Sequence, residues 1–198
     1  FDPRYMGISR LRVINDDRVA PGQGFATHGH RDMEILSYVL EGAITHGDSL
    51  GNEERISAGE FQLMSAGSGI RHSEYNKEKV PLHFLQIWLV PEQQGLTPSY
   101  QQQRFDGHGK VLVLSPDGAE GSFKVHQDSR LYRVSLKAGE VLEHQQGTGR
   151  PAYLQVVSGR WQQGGQPLVS GDGASLAPGG LLQLKAVADS ELLLFDLP

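Results

Sequence analysis

Two short pairs of side chains constrain this chain more than any other feature. His28-Gly29-His30 and, later, His72-Ser73-Glu74 each place two metal-ligand side chains one residue apart. In an extended strand, residues i and i+2 point to the same face; on a helix they do not. Each pair therefore aims two donors in one direction only if it lies on a strand. Two such strands side by side surround one point with three imidazoles and a carboxylate, a set that β-structure supplies without special backbone geometry.

The rest of the chain agrees with a β-fold. Short β-branched, Leu and aromatic runs recur between clusters of Gly, Asn, Asp and Pro, with 25 Gly and 10 Pro in 198 residues. That is the pattern of a sandwich or barrel of short strands. Strands are expected at Leu11 to Asn15, Phe25 to His30, Ile35 to Leu40, Ala43 to His46, Phe61 to Ser65, Arg71 to Tyr75 and Leu82 to Val90. Asp48-Ser49-Leu50-Gly51-Asn52 reads as a turn. Helical periodicity is missing; the polar stretch Glu92 to Phe105 is expected to hold at most a turn or two of helix.

The second half repeats the first weakly. Val39-Leu40-Glu41-Gly42 resembles Val156-Val157-Ser158-Gly159, and Gly59-Glu60 with Ala66-Gly67 resembles Gly171-Asp172 with Pro178-Gly179. A repeat of this length implies two similar β-units, 1–105 and 106–198, joined in the polar stretch from Pro91 to Lys110. Counting from the matched glycines sets Gln145 and Gly147 opposite His28 and His30, and Leu184 and Ala186 opposite His72 and Glu74. The second unit is thus expected to lack metal ligands, with His144 one residue out of register and facing the wrong way.

Composition narrows the chemistry. The chain has no cysteine, which excludes disulfides, thiolate zinc sites, iron–sulfur clusters and Cys nucleophiles. A net charge of −5 argues against direct nucleic-acid binding. No apolar run reaches the length of a membrane span, and the opening Phe1-Asp2-Pro3-Arg4-Tyr5 does not read as a signal peptide; the expected compartment is the cytoplasm. Three imidazoles and a carboxylate suit one divalent ion among Fe, Mn, Co, Ni, Cu and Zn.

The remaining candidates have ordinary readings. His46 is expected to be an exposed strand-end residue, and His83 a hydrogen-bonded core or edge residue. His108, His126 and His144 have no ligand-spaced partner. Ser65-Ala66-Gly67-Ser68-Gly69 lacks the Gly-Lys-Ser/Thr ending of a phosphate loop and reads as a turn. No nucleophile elbow supports a Ser-His-Asp triad.

Gly22 followed by His28-Gly29-His30 and Glu34 resembles the first cupin motif, and Gly69-Ile70-Arg71-His72-Ser73-Glu74-Tyr75-Asn76 the end of the second. The fuller run from His28 through Tyr38-Val39-Leu40-Glu41-Gly42 and His46-Gly47-Asp48-Ser49-Leu50-Gly51-Asn52 to Glu74 resembles the pirin family specifically. The resemblance implies an all-β bicupin: two double-stranded β-helix (jelly-roll) barrels in one chain, with the metal in the N-terminal one. It also implies further residues ahead of Phe1. Glu34 lies where general cupins take their carboxylate, but seven residues before Gly42, out of the common phase. Pirin-type sites take it from the second motif, so Glu74 is the expected ligand and Glu34 the reserve. Bacterial pirins resemble quercetinases, which open the central ring of a flavonol with O₂. The implied partners are a flat aromatic substrate and O₂, with Fe(II) the first choice of ion and Glu74 as catalytic base; a monomer is expected because two β-units can cover each other's sheets. The alternative the resemblance carries is a non-catalytic, redox-sensing transcriptional cofactor.

Overall fold

The computed structural model describes residues 6–198; the opening Phe1-Asp2-Pro3-Arg4-Tyr5 lies outside the described residues. The backbone divides into two compact units, one built on Leu11–Arg104 and the other on Phe105–Pro198, with Ile8–Arg10 grouped with the second. Apart from one 3-10 turn, Ala119–Gly121, the regular structure of the described residues is all strand.

The first unit contains β1 (Leu11–Val19), β2 (Gly24–His30), β3 (Glu34–Glu41), β4 (Ala43–Asp48), β5 (Glu53–Ser57), β6 (Glu60–Ser65), β7 (Ile70–Tyr75), β8 (Leu82–Leu89) and β9 (Ser99–Arg104). They form two sheets, β1-β8-β3-β6-β9 and β2-β7-β4-β5, the strand order of a jelly roll. The stretch expected to hold a turn or two of helix instead carries β9, which pairs antiparallel with β6. Its sequence, Ser-Tyr-Gln-Gln-Gln-Arg, shows no apolar alternation because an edge strand is held largely by backbone hydrogen bonds that composition does not reveal. The same holds for β5 at the edge of the smaller sheet, where only Ile56 is buried.

The second unit contains β10 (Gly109–Ser115), β11 (Phe123–Lys124), β12 (Arg130–Leu136), β13 (Val141–Gln146), β14 (Ala152–Ser158), β15 (Arg160–Gln163), β16 (Gln166–Val169), β17 (Gly173–Leu176), β18 (Gly180–Ala186) and β19 (Ser190–Asp196). Its sheets are β11-β10-β12-β19-β14-β17 and β13-β18-β15-β16. The runs β1-β8-β3-β6 and β2-β7-β4-β5 of the first unit recur here as β12-β19-β14-β17 and β13-β18-β15-β16. The weak sequence repeat is therefore a repeated fold. Its matched glycines have a physical task. Gly42 and Gly159 stand where the chain leaves one sheet for the other, at φ +74 and +80; a Cβ there would lie 2.7 Å from the Pro81 carbonyl oxygen and 2.6 Å from that of Asp189. Only glycine fits such a backbone and such an approach.

Among the described residues of the first unit, two apolar clusters pack between the sheets. One contains Val39, Ile44, Ile56, Leu82 and Phe84, the other Ile35, Met64, Ala66 and Ile70. Alternation along β3 puts Ser37 between Ile35 and Val39 on the same face, so a polar layer separates the two clusters. In the second unit a single cluster runs through Val134, Leu142, Leu154, Trp161, Leu182, Leu184 and Leu194 without such a break.

Candidate metal centre

The polar layer is assembled from three neighbouring strands of the smaller sheet, β2, β7 and β4. Cross-strand register sets His28 opposite His72, and on the other side of β7 sets Asp48 opposite His72 and His46 opposite Glu74. A bulge in β2 between Phe25 and His28 adds one residue against β7, re-phasing β2 just ahead of its two histidines, as bulges beside functional sites do.

Three of the four side chains in the two spaced pairs, His28, His30 and His72, come together. Ring centroids of His28 and His30 lie 4.7 Å apart, those of His28 and His72 4.5 Å, and those of His30 and His72 4.9 Å. Each of the three offers a ring nitrogen within 4.8 Å of the others. Glu74 falls in a second, overlapping group with His46 and His72, its ligand atoms within the same 4.8 Å limit.

The residues fit a divalent ion on several counts. His28 donates Nδ1–H to the Ala26 carbonyl at 2.8 Å, which fixes the tautomer and leaves the Nε2 lone pair free. That Nε2 lies 3.1 Å from Nε2 of His72; two ligands bound at right angles, each about 2.1 Å from one ion, are about 3 Å apart. Burial, followed by the nearby rings of His28, His30 and His46, pushes His72 down from its ordinary 6.5 to about 3. His30 is lowered by burial and then by His28. Both are thereby kept neutral at physiological pH, the form that ligates a metal.

Glu74 is fully buried, and burial raises its carboxyl above the usual carboxylate range, with His46 the strongest opposing influence. It is cradled by the larger sheet. Gln86, Ser37 and Gln62 stand at one register across β8, β3 and β6. Gln62 Nε2 donates to Oε1 at 3.1 Å, Ser37 Oγ to Oε1 at 3.5 Å and Gln86 Nε2 to Oε2 at 2.8 Å. Each is a lone polar residue in an otherwise apolar strand centre (Leu36-Ser37-Tyr38, Phe61-Gln62-Leu63, Leu85-Gln86-Ile87), a signal present in the sequence that the ligand-spacing argument passes over.

The other candidates sort as follows. His46, expected at an exposed strand end, is buried. Strand β4 runs on through Asp48, and Asp48 Oδ2 accepts the His46 Nε2–H at 3.0 Å. Asp48 in turn is held ionised: burial raises its carboxyl, but hydrogen bonds from His46, Asn52 and the turn backbone outweigh it and lower it overall. His46-Gly47-Asp48 has the same one-residue spacing as the ligand pairs, which is the signal that finds it. Glu34 is buried and accepts a hydrogen bond from Ser65 Oγ at 3.2 Å, outside both ligand groups. His83 bonds Asp16 at 2.6 Å, as a core or edge histidine should, and His108 meets Glu140 at the surface.

His144 corrects the count made from the glycines. It points into the second unit, buried, with Nε2 3.5 Å from Asp196. The β13–β14 connector, residues 147–151, is two residues longer than the β2–β3 connector, residues 31–33, while β14 is one residue shorter than β3; counting back from the glycines therefore slips by one residue, which inverts the face. Leu142, Leu184 and Ala186 share that interior. Among the described residues, both groups of side chains able to hold a metal lie in the first unit.

A jelly-roll pair in which one unit gathers imidazoles and a carboxylate between its sheets is the architecture of a metal-binding bicupin. Comparison with known proteins resolves the class further. Residues 1–89 match the Pirin family model and residues 112–197 the model of the quercetinase C-terminal cupin domain. The chain is 54% identical over its whole length to the quercetin 2,3-dioxygenase of Escherichia coli K12, covering 87% of that protein. It is 41% identical to a pirin-like protein of Caulobacter vibrioides, covering 99% of this chain and 87% of that one. The crystal structure of the bacterial pirin YhhW from Escherichia coli in complex with nickel(II) superposes with a TM-score of 0.97 at 53% identity, covering 100% of this chain and 86% of that one. The chain belongs to the pirin family. Among its described residues no helix is long and apolar enough to cross a membrane.

Proposed function

We propose that the protein is a metal-dependent dioxygenase that opens the ring of a flavonol such as quercetin with O₂. The observation that carries this reading is the cluster of His28, His30 and His72, of which His30 and His72 are held neutral, with the buried Glu74 carboxyl grouped with His72. Its likeness to the quercetin 2,3-dioxygenase of Escherichia coli supports it.

His28, His30, His72 and Glu74 would hold the ion. When bound, such an ion acidifies a coordinated hydroxyl and supplies the centre for reaction with O₂. The protein's own part is proton handling and placement. Glu74 is the carboxylate of the candidate ligand set, and as general base it takes the proton of the substrate's 3-hydroxyl onto a carboxylate oxygen. Gln62, Ser37 and Gln86 then keep both oxygens hydrogen-bonded through the transfer. Phe25, register partner of Glu74, is 40% exposed and offers an apolar face to a flat aromatic ring.

Fe(II) is the ion we assign first. The donor set equally admits Mn, Co, Ni, Cu or Zn, and the nickel complex of YhhW supports a borderline divalent ion of this class. The reading takes the cytoplasm as the compartment and a monomer as the working unit; cell fractionation and sedimentation test these. The net charge of −5 supports the absence of direct nucleic-acid contact.

The test is metal analysis of protein purified without added metal, then an assay with quercetin. Loaded protein is expected to consume O₂ and bleach the flavonol absorption. Quercetin left intact by every loaded form would refute the reading and favour a non-catalytic regulator.

A further inference from the structure

We propose that Gln86 and Trp88 act as a positioning pair for Glu74, fixing which way its carboxylate oxygens face; the inference rests on the dioxygenase reading for the role of Glu74. The two residues are neighbours on one face of β8. Trp88 Nε1 donates to Gln86 Oε1 at 3.1 Å, and Gln86 Nε2 donates to Glu74 Oε2 at 2.8 Å. An indole N–H can only donate, so the Gln86 side that meets it must be the carbonyl oxygen. The amide therefore cannot turn over without setting two donors against each other, and its NH₂ is committed to Glu74. A glutamine without that restraint could present either end to a carboxyl, donating to the ionised form or accepting from the protonated one.

Trp88 also touches the other half of the centre. Its ring packs edge-on against His30, with centroids 5.1 Å apart. One side chain thus contacts a candidate imidazole ligand directly and the candidate carboxylate ligand through a single amide. On the opposite flank Gln62, which donates to the other Glu74 oxygen, has its own carbonyl oxygen 3.1 Å from the Tyr100 hydroxyl. Glu74 is consequently gripped at both oxygens by amides whose orientation is set from outside the centre. Positioning groups of this kind carry much of a site's precision.

The experiment uses the full chain with Trp88→Phe, which keeps an aromatic ring at this position but removes the indole N–H with part of the ring system, with Gln86→Leu, and with both together. Each is repeated in a Glu74→Gln background. Steady-state kinetics with quercetin are paired with the visible absorption spectrum of the Co(II)-loaded proteins. Trp88→Phe and Gln86→Leu should each lower kcat by about tenfold, the size of one ordinary hydrogen bond, with KM little changed. The double variant should be no worse than Gln86→Leu alone, because Trp88 acts through Gln86. The Co(II) spectrum should shift in both single variants and coincide with its parent in the Glu74→Gln background. Unaltered spectra and kcat in both variants would overturn the proposal, as would shifts that persist without the Glu74 carboxylate, since those would come through His30. Should loaded wild-type protein leave quercetin untouched, the dioxygenase reading fails by itself, while the Co(II) spectra still decide the positioning pair.

Discussion

The two units share strand order and glycine-bearing turns, yet fill their interiors differently. The first separates two apolar clusters with a layer containing His72, Glu74, His46, Ser37 and Gln62. The second runs one apolar cluster through the same space, with Leu142, Leu184, Ala186 and Trp161. Burying imidazoles and a carboxyl costs free energy unless each finds partners or a ligand, whereas burying Leu and Trp yields about 25 cal/mol per Å² of apolar surface removed from water. The jelly roll therefore does not need the polar layer to fold. The layer persists in one unit against its own cost, which marks it as functional. The second unit does bury His144 in its interior, but there it lies beside Asp196, which Arg150 binds together with Asp128.

The sharpest way to break this comparison is to strip one interior and leave the other. His28→Ala/His72→Ala should cut metal content and flavonol turnover by more than about a hundredfold, since losing even an outer partner of a ligand costs 10–100-fold. His144→Ala in the second unit should leave metal content as it was. Elemental analysis reads both, and metal loss in His144→Ala would make the two interiors functionally alike.

Next in size is Glu74→Ala. It should lower kcat by about 10²–10⁴, the range of a lost general base, while the imidazoles retain measurable metal. Equal kcat in variant and wild type would reduce Glu74 to a structural residue.

Arg150→Ala attacks the second unit alone. It leaves Asp196 and Asp128 without their guanidinium and should destabilise the fold by about 2–4 kcal/mol, read as a fall in urea midpoint. Metal affinity of the variant, measured well below its unfolding transition, should match wild type.

The smallest effect is a pH slope in metal-free protein. His72 is lowered to about 3 in the fold from an ordinary 6.5, so between those values the unfolded chain binds more protons at this residue than the native one. Stability from this group is complete above pH 6.5 and is lost as pH falls toward 3. Glu74, raised by burial, acts in the opposite sense above 4.5, so the slope is best measured in Glu74→Gln protein. Adding His72→Leu, which copies Leu182 at the matching register of the second unit, should flatten it.

Much of the fold was legible because the strands that bury apolar faces announce themselves. Ile35 to Leu40 and Leu82 to Val90 read as strands on pattern alone and are β3 and β8. The edge strands β5 and β9 did not read, since their pairing energy comes largely from backbone groups common to all residues. The three-imidazole cluster was legible from spacing, because a one-residue gap on a strand fixes the face. The burial of His46 was not, as it depends on how far β4 continues. The face of His144 is not legible, because the longer β13–β14 connector and the shorter β14 together shift the register by one residue.

By itself, the sequence determined that this chain is β-structure repeated twice, with His28, His30 and His72 able to converge in the first copy, because strand alternation is a local rule. Tertiary structure alone decided what surrounds Glu74. Gln86, Ser37 and Gln62 come from three strands of the opposing sheet, and Trp88 orients one of them; no rule of spacing brings such residues together. Only the pairing of the strands and the facing of the sheets place three donors on one buried carboxyl.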